Sequence, residues 1–460
     1  VGTIGAKLGR PEEGRQQLGL FMEQFPNGLL APLVRRGLLA RGRPAAPPGD
    51  TPETRQTSLR QLPVDPSQAR YKIGLIAPLS TPLGIDLRDG GLLAREQHPL
   101  SSAEQVGLVF EDSEGDPIRA VKAAQRLIED HNVIAIIGAL NSDETIPLAT
   151  QTSASRVPLV APTASTDGIA AISPYVFQIN ATPGAQGRRL AEYAVGELGL
   201  GMLATLASRD TYGERIAKEF TAKAEEMGAE VIVQEWYVPG TTDYRGQFQR
   251  VRDAGLALQP PETVAAEVDS LLLGGMRVPP PPPVPVDPDT VEPEPVMALD
   301  GLLVAGGRDD VLLIAPQVAF HQINAQLLGS DGWNHQEVAE ARGGYVDGAI
   351  FAAKYYDQSE LLSVRSFVDA FRLRFQRDQS IAAALGYDAM RALLSAIDAG
   401  ASDRESLRLK LESIAQIPGA TGRITFGKGD RENAWMYMLQ IQRRKIVPLT
   451  DLAVEASEPE

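Results

Sequence analysis

The feature that most constrains the fold of this chain is a regular alternation between short apolar runs and stretches with helical periodicity. Apolar runs of strand length lie at 71–77, 106–110, 133–137, 159–161, 202–207, 231–237, 301–305 and 326–328. Between them, apolar residues recur at helical spacing, as in 117–130 and 214–227. Strands separated by helices of this length form parallel sheets through right-handed crossovers. The sequence therefore predicts an α/β fold with two doubly wound parallel-sheet lobes.

Chain length and charge narrow the possibilities further. The chain has 460 residues, of which 43% are hydrophobic, and this is too long for a single ordinary core. Acidic residues outnumber basic ones by 59 to 44, which gives a formal net charge of −15. The sequence contains no block of lysine and arginine that would follow a phosphate backbone. We therefore expect two or more lobes and no nucleic-acid partner.

The sequence carries little that points to catalysis or metal binding. It contains no cysteine, which excludes disulfides, thiolate metal sites and cysteine nucleophiles. Its four histidines, His98, His131, His321 and His335, lack the spacing of metal ligands. No phosphate-loop lysine motif, no G-x-S-x-G elbow and no H-E-x-x-H motif is present. We expect a protein that is not an enzyme and that uses no cofactor or metal.

Three segments depart from the alternating pattern. Residues 11–42 have the spacing of two amphipathic helices, with a break at residues 25–28. Residues 1–42 therefore resemble the end of a tetratricopeptide array, and a helical hairpin packed on the main domain fits the same pattern. Residues 43–70 are rich in proline and predict an extended linker. The proline-rich residues 278–296 predict a surface insertion within the second lobe.

The sequence gives no direct sign of membrane attachment. No stretch approaches the roughly 18 to 20 apolar residues of a membrane span, and the first residues lack the pattern of a signal peptide. Residues 1–8 have helical character from the start. A targeting or lipid-anchoring segment upstream of residue 1 therefore stays open.

Polar turns follow two neighbouring predicted strands. Asp116 precedes Pro117 and is placed to cap the helix that leads into this region. The turn at 141–145 follows the strand predicted at 133–137, and the turn at 163–166 follows the next strand. In open α/β sheets, ligands bind at the carboxyl ends of the strands. These turns are therefore candidates for a ligand site.

A set of motifs in fixed order resembles a known family. The chain contains "IGALNS", "VPLVAPTAST", "DTYGERIAKEF", "LLGSDGW" and "ALGYDAM". In this order they resemble the leucine/isoleucine/valine-binding family of type 1 periplasmic receptors, which are the soluble partners of amino-acid ABC transporters. The resemblance implies one domain at 71–450 whose chain passes between two lobes three times. Lobe 1 would comprise about 71–184 and 357–425, and lobe 2 about 185–356 and 426–450.

The resemblance also implies roles for individual residues. Ser142 would bind a ligand carboxylate, and Thr163 and Ser165 would contact both a carboxylate and an ammonium group. The helix predicted to begin near residue 143 would favour an anion at its N-terminus. Tyr212 would close over the ligand from lobe 2, and Asp331 would hold an α-ammonium group. Together these residues would form a site for a zwitterion, such as an amino acid.

Structural roles compete with most of these interpretations. Ser142 and Ser165 would equally serve as helix caps, Tyr212 as a packing residue, and Asp331 as a turn residue before a glycine. Arg308 stands where the family often has an aromatic residue. It would either bind a second acidic group on a ligand or form a salt bridge with Asp309 or Asp310.

A second resemblance leads to a different function. Residues 298–334, together with the tetratricopeptide-like start, are similar to penicillin-binding protein activator lipoproteins, which join helical repeats to the same two-lobed fold. Two hypotheses therefore stand: a receptor in the periplasm or cell envelope that captures an amino acid or a close relative for an ABC transporter permease, or an envelope scaffold whose partner is a cell-wall synthase.

Overall fold

The computed structural model describes residues 69–98, 105–259, 294–426, 429–433 and 435–449. The predicted helical segment 1–42, nearly all of the linker 43–70 and most of the insertion 278–296 lie outside these residues. Within the described residues the strands are β1 (Tyr71–Ala77), β2 (Val106–Asp112), β3 (Ala135–Ile137), β4 (Leu159–Ala161), β5 (Val176–Gln178), β6 (Met202–Ser208), β7 (Glu230–Tyr237), β8 (Gly301–Ala305), β9 (Gln326–Gly329), β10 (Ile350–Ala353), β11 (Ile417–Gly419), β12 (Gly422–Ile424), β13 (Tyr437–Gln442) and β14 (Lys445–Pro448).

Helices alternate with most of these strands. In the same part of the chain the α-helices are α1 (Pro82–Gln97), α2 (Pro117–Glu129), α3 (Ser142–Ala154), α4 (Pro183–Ala191), α5 (Thr211–Glu226), α6 (Arg245–Leu258), α7 (Arg308–Phe320), α8 (Gln336–Ala339), α9 (Leu362–Phe375), α10 (Ile381–Asp398) and α11 (Arg404–Glu412). Short 3₁₀ turns occur at Ala170–Ile172 and Asp331–Trp333, and a π-helical turn at Glu192–Glu197 follows α4.

The first sheet is entirely parallel, with strand order β2-β1-β3-β4-β5. The chain runs from β1 out to β2, returns across β1 to β3, and then continues outward to β5. This reversal separates the carboxyl ends of β1 and β3, where a crevice forms in open α/β sheets. The loops after β3 and β4 lie on the same edge of the sheet.

The second sheet has strand order β14-β13-β10-β9-β8-β6-β7. Strands β6 to β10 pair in parallel, whereas β13 and β14 are antiparallel additions at one end. Here the order reverses at β6, which has β7 on one side and β8 on the other. The prediction of an α/β fold with two doubly wound sheets is confirmed, and the antiparallel strands at the end of the second sheet are an addition to it.

The eight strands predicted from the sequence are all present, with ends that differ by up to two residues. The structure adds strands β5 and β10 to β14, which are not among the eight apolar runs, although the family resemblance implied a C-terminal strand in lobe 2. Most of these have three or four residues. Runs this short show little periodicity, and neighbouring strands stabilise them.

The predicted helix cap at Asp116 is also present. The Asp116 side chain accepts a hydrogen bond from the Arg119 backbone N–H at 2.8 Å, and Pro117 is the first residue of α2. A capping side chain satisfies a backbone N–H group that has no partner within the helix, and proline at this position has no N–H to satisfy.

Among the described residues, no helix is long and apolar enough to span a membrane.

Two of the connections between the sheets are joined to each other. Gln178 at the end of the first sheet donates its N–H to the carbonyl of Arg431 and accepts from the N–H of Asn433, both at 2.8 Å. Nearby, the Thr182 hydroxyl donates to a Glu432 carboxylate oxygen at 3.3 Å. Burial raises the pKa of Glu432. Hydrogen bonds therefore hold the segment after β12 against the segment at the end of β5, so these two connections lie side by side.

Candidate functional site

The candidate residues lie on the carboxyl edges of the two sheets. Ser142, Thr163 and Ser165 follow strands β3 and β4 of the first sheet. Tyr212 and Arg308 follow β6 and β8, and Asp331 follows β9, all in the second sheet. The sheet topology thus places all the candidates at carboxyl edges, which is where ligands bind in open α/β sheets. Hydrogen bonds and ion pairs between the candidate residues show which of them lie together.

The loop after β3 and the loop after β4 are joined through the Ser142 hydroxyl. Its oxygen accepts hydrogen bonds from the backbone N–H groups of Ser165 and Thr166, both at 3.2 Å. A serine hydroxyl has two acceptor lone pairs and one hydrogen to donate. Because both acceptor positions are used, the Ser142 hydrogen points away from these groups and is available for an acceptor such as a carboxylate.

The Thr163 hydroxyl donates hydrogen bonds, whereas the Ser142 hydroxyl accepts them. The Thr163 hydroxyl donates to backbone carbonyl oxygens of the preceding loop, with a distance of 3.2 Å to that of Ala139. The Thr163 carbonyl accepts from the Asn180 side-chain amide at 2.8 Å, which holds the loop in place. Since the Thr163 hydroxyl hydrogen is already used, its oxygen is left to accept hydrogen bonds. Ser142, Thr163 and Ser165 form the lobe 1 cluster, and all three are partly exposed.

The helix predicted behind this cluster is present. Helix α3 begins at Ser142, close to the predicted residue 143, and its cap is Asn141, whose side chain accepts from the Glu144 N–H at 2.9 Å. The interpretation of Ser142 as the cap is therefore wrong, and Ser165 caps no helix in the described residues. The N–H groups of the first turn lack intrahelical acceptors and give this end of the helix a partial positive charge.

In the second lobe, Tyr212 and Asp331 are in direct contact. The Tyr212 hydroxyl, in the first turn of α5, donates to Asp331 Oδ1. The same hydroxyl lies 3.5 Å from Gln186 Oε1. Two residues 119 positions apart in sequence therefore meet at one edge. The ring of Tyr212 packs against the core while its hydroxyl contacts Asp331, so its roles in packing and in ligand binding both remain predictions.

Lys354 also belongs to this cluster, although no sequence motif marks it. It follows β10 directly, and its Nζ lies 2.9 Å from Asp331 Oδ2. Its side chain is 12% exposed, and that of Asp331 is 27% exposed, so water screens this ion pair only partly. Tyr212, Asp331 and Lys354 form the lobe 2 cluster.

A sequence signal for Lys354 does exist. The run "GAIFAAK" is a short apolar segment that ends in a charged residue, as expected of a buried parallel strand with a polar residue at its carboxyl end. The strand has only four residues, which is too short a run to show a periodicity of its own.

Arg308 lies at the same edge but belongs to neither cluster. Its guanidinium is 2.9 Å from Asp309 Oδ1, and its side chain is 44% exposed. Of the two alternatives, the structure therefore has the salt bridge with Asp309. A ligand role for Arg308 would require this exposed pair to open.

An ion pair joins the carboxyl edges of the two sheets. Asp167, in the loop after β4, forms an ion pair with Arg215 of α5 at 3.4 Å. Arg215 also contacts Glu219 of the same helix at 3.2 Å. A Cβ atom on Gly184 would lie 2.3 Å from Asp167 Oδ1, so glycine permits this close approach. Among the described residues, no hydrogen bond joins the lobe 1 cluster to the lobe 2 cluster.

The chemistry of the two clusters suits binding rather than catalysis. The lobe 1 cluster offers a hydroxyl hydrogen and the N-terminus of a helix, which favour an anionic group. The lobe 2 cluster offers a phenol, a carboxylate and an ammonium group. Within the described residues, no group of three or more histidine, aspartate or glutamate side chains is arranged to hold a metal ion.

Comparison with known proteins gives a consistent result. A family model described as periplasmic binding protein matches residues 70–445. The Leu/Ile/Val-binding protein BraC3 of Rhizobium johnstonii is 24% identical over 400 residues, which cover 83% of this chain and 94% of that protein. A leucine-, isoleucine-, valine-, threonine- and alanine-binding protein of Pseudomonas aeruginosa is 23% identical and covers 79% of this chain and 87% of its own length.

Solved structures agree on the fold. The crystal structure of a putative branched-chain amino acid ABC transporter from Rhodospirillum rubrum covers 82% of this chain and 99% of its own. Its TM-score is 0.69 at 19% sequence identity.

Proposed function

Because this chain belongs to the periplasmic binding protein family, whose members are solute receptors and not enzymes, we propose that it captures a small carboxylate-bearing solute between two lobes. The solute is an amino acid or a close relative, as the names of the relatives suggest for those proteins. Contacts from both lobes hold it, and closure around the ligand is driven by contacts that form only when both lobes engage.

The observation that carries this proposal is the contact between Tyr212 and Asp331 at the edge of the second sheet. At the carboxyl edge of the first sheet, two backbone N–H groups occupy the acceptor positions of the Ser142 hydroxyl and leave its own hydrogen to donate. The lobe 1 cluster would bind the carboxylate, and the lobe 2 cluster would bind the rest of the ligand.

The domain organisation belongs to the same proposal. We place lobe 1 at about 71–184 and 357–425, and lobe 2 at about 185–356 and 426–450. The pairing of β13 with β10 supports this division, because it adds a late segment of the chain to the second sheet. The connections around Gln178 and Glu432 would then be the hinge.

Family membership also indicates where and with what the protein works. Periplasmic binding proteins act in the periplasm, and we propose an ABC transporter permease as the partner that receives the ligand. The relatives described above are solute-binding proteins, which favours the receptor over the scaffold that contacts a cell-wall synthase.

A thermal-shift screen against amino acids and related small acids tests the receptor function. A ligand present at 100 times its dissociation constant stabilises the native state by about 2.7 kcal/mol. We therefore expect at least one member of the panel to raise the melting temperature clearly. An unchanged melting temperature across the whole panel would contradict the proposal.

Variants of the two clusters locate the site. Ser142→Ala removes the free donor, and Tyr212→Phe removes the hydroxyl that contacts Asp331, so each is expected to weaken binding by about tenfold or more. Thr150→Ala, on the exposed side of the same helix as Ser142, is a matched control and should leave the affinity unchanged. Equal effects of Ser142→Ala and Thr150→Ala would place the ligand elsewhere.

A further inference from the structure

The charge balance of the lobe 2 cluster constrains which ligand can bind. A site for an α-ammonium group needs a carboxylate whose charge is not already neutralised. In this structure both oxygens of Asp331 have partners: Oδ1 accepts from Tyr212, and Oδ2 pairs with Lys354 at 2.9 Å. A carboxylate offers about four lone-pair sites, so room for another hydrogen bond remains. The negative charge, however, is already compensated by the lysine.

Lys354 is fixed in this position by the fold. It comes directly after β10, which is a fully buried strand paired on both sides, with β9 and β13. Asp331 follows β9, so neighbouring strands deliver the two side chains to the same edge. With 12% of its side chain exposed, Lys354 has lost most of its contact with water and depends on Asp331 for compensation.

The two clusters together carry no net charge. Ser142, Thr163, Ser165 and Tyr212 are neutral, and the charges of Asp331 and Lys354 cancel. A neutral amino acid would place its ammonium group on Asp331 and hence beside the ammonium group of Lys354. Like charges brought together in a partly buried site repel, and this cost falls directly on the affinity.

We infer that this receptor selects ligands with one more acidic group than ammonium groups, so that the ligand has a net charge of about −1 at neutral pH. This inference rests on the proposed receptor function and specifies its substrate class. Two sources fit this chemistry. An acidic amino acid places its ammonium group on Asp331 and its second carboxylate on Lys354. A simple carboxylic acid without an ammonium group leaves the Asp331–Lys354 pair intact.

Matched ligand pairs test the inference by calorimetric titration of the full chain. L-leucine and 4-methyl-2-oxopentanoate share a carbon skeleton and differ in one positive charge, and L-glutamine and L-glutamate differ in one negative charge. We extend the set to the other amino acids and their 2-oxo acids. The anionic member of the best-binding pair is expected to bind at least about tenfold more tightly than its neutral partner. The pair in which this occurs distinguishes the two sources.

Substitution of Lys354 gives the second measurement. Lys354→Met leaves Asp331 uncompensated, so the preference should reverse in favour of the neutral amino acid, whereas Lys354→Arg keeps the charge and should keep the preference for the anion. A neutral amino acid that binds the unaltered chain as tightly as its anionic partner overturns the inference, as does a preference that Lys354→Met leaves unchanged. If no ligand of the whole set binds, the proposed receptor function itself fails, and the inference fails with it.

Discussion

Replacement of Asp388 with alanine is expected to lower the free energy of unfolding by about 3 to 5 kcal/mol, because it leaves buried hydrogen-bond donors without an acceptor. Asp388 lies in the middle of α10 and is fully buried. Its carboxylate accepts from the backbone N–H groups of Ala420 and Thr421, the latter at 2.9 Å, and from the Thr421 hydroxyl. These donors are themselves buried.

The ionised form of Asp388 is the one that these donors require. Burial raises the pKa of Asp388 to about 6, against the opposing effect of its hydrogen bonds with Thr421 and Ala420. At neutral pH the carboxylate is therefore charged and accepts from all three donors. A protonated carboxyl or an amide would present a donor of its own to an N–H group.

Chemical denaturation at pH 7.5 measures this effect. Asp388→Asn should also be destabilising, because its amide retains only one acceptor oxygen. Asp369→Ala, on the exposed surface of α9, is the matched control and should change stability by no more than about 0.5 kcal/mol. A loss of similar size in Asp388→Ala and Asp369→Ala would show that the buried hydrogen bonds contribute little.

Asp388 also stabilises one of the connections between the two sheets. It fixes the turn between β11 and β12, and the chain passes from β12 into the segment that pairs with Gln178. We therefore expect Asp388→Ala to loosen the connection between the sheets as well as the first lobe.

Gly90→Ala is the second substitution with a large expected effect, a destabilisation of about 3 kcal/mol, which is the upper end of the usual cost of overpacking. Helices α1 and α10 pack so closely that a Cβ atom on Gly90 would lie 1.9 Å from the Ala383 carbonyl oxygen. The contact is reciprocal, since a Cβ atom on Gly386 would lie 2.3 Å from the Leu87 carbonyl oxygen. Backbone atoms cannot rotate away as a side chain can, so the two helices would have to separate.

The neighbouring residue supplies the control for this prediction. A Cβ atom on Gly91 would meet nothing closer than Leu75 Cδ1 at 3.4 Å, which is an ordinary contact. Alanine also favours the helix over glycine by about 1 kcal/mol, so Gly91→Ala should have a small or even stabilising effect. Thermal denaturation of both variants compares them directly. If the Gly90→Ala protein is as stable as the Gly91→Ala protein, helices α1 and α10 do not pack as closely as the structure shows.

Much of the fold could be predicted from the sequence because local patterns carry it. The alternation of apolar runs and helical periods gave the fold class, and all eight predicted strands exist. The cap at Asp116 was likewise a local pattern, since its partner Arg119 is three residues away. The short strands β5 and β10 to β14 were missed, since their stability comes from neighbouring strands rather than from their own residues.

The candidate site divides in the same way. The motifs located Ser142, Thr163, Tyr212 and Asp331 on the correct edges, because the residues after a strand necessarily lie at its carboxyl end. Their roles remain predictions. The alternative interpretation of Ser142 as a helix cap was wrong, because Ser142 is the first residue of the helix and Asn141, immediately before it, is the cap.

The sequence by itself determined the α/β class, the parallel sheets and the edges on which a ligand site would lie, because each depends on the spacing of residues close together in the chain. The tertiary structure decided that Lys354 compensates Asp331, that Asp388 meets Thr421 and that Gly90 touches Ala383. These contacts join segments that are far apart in sequence or on separate elements. They follow from the order of strands and the packing of helices. Neither the strand order nor the helix packing can be predicted from a local pattern of residues.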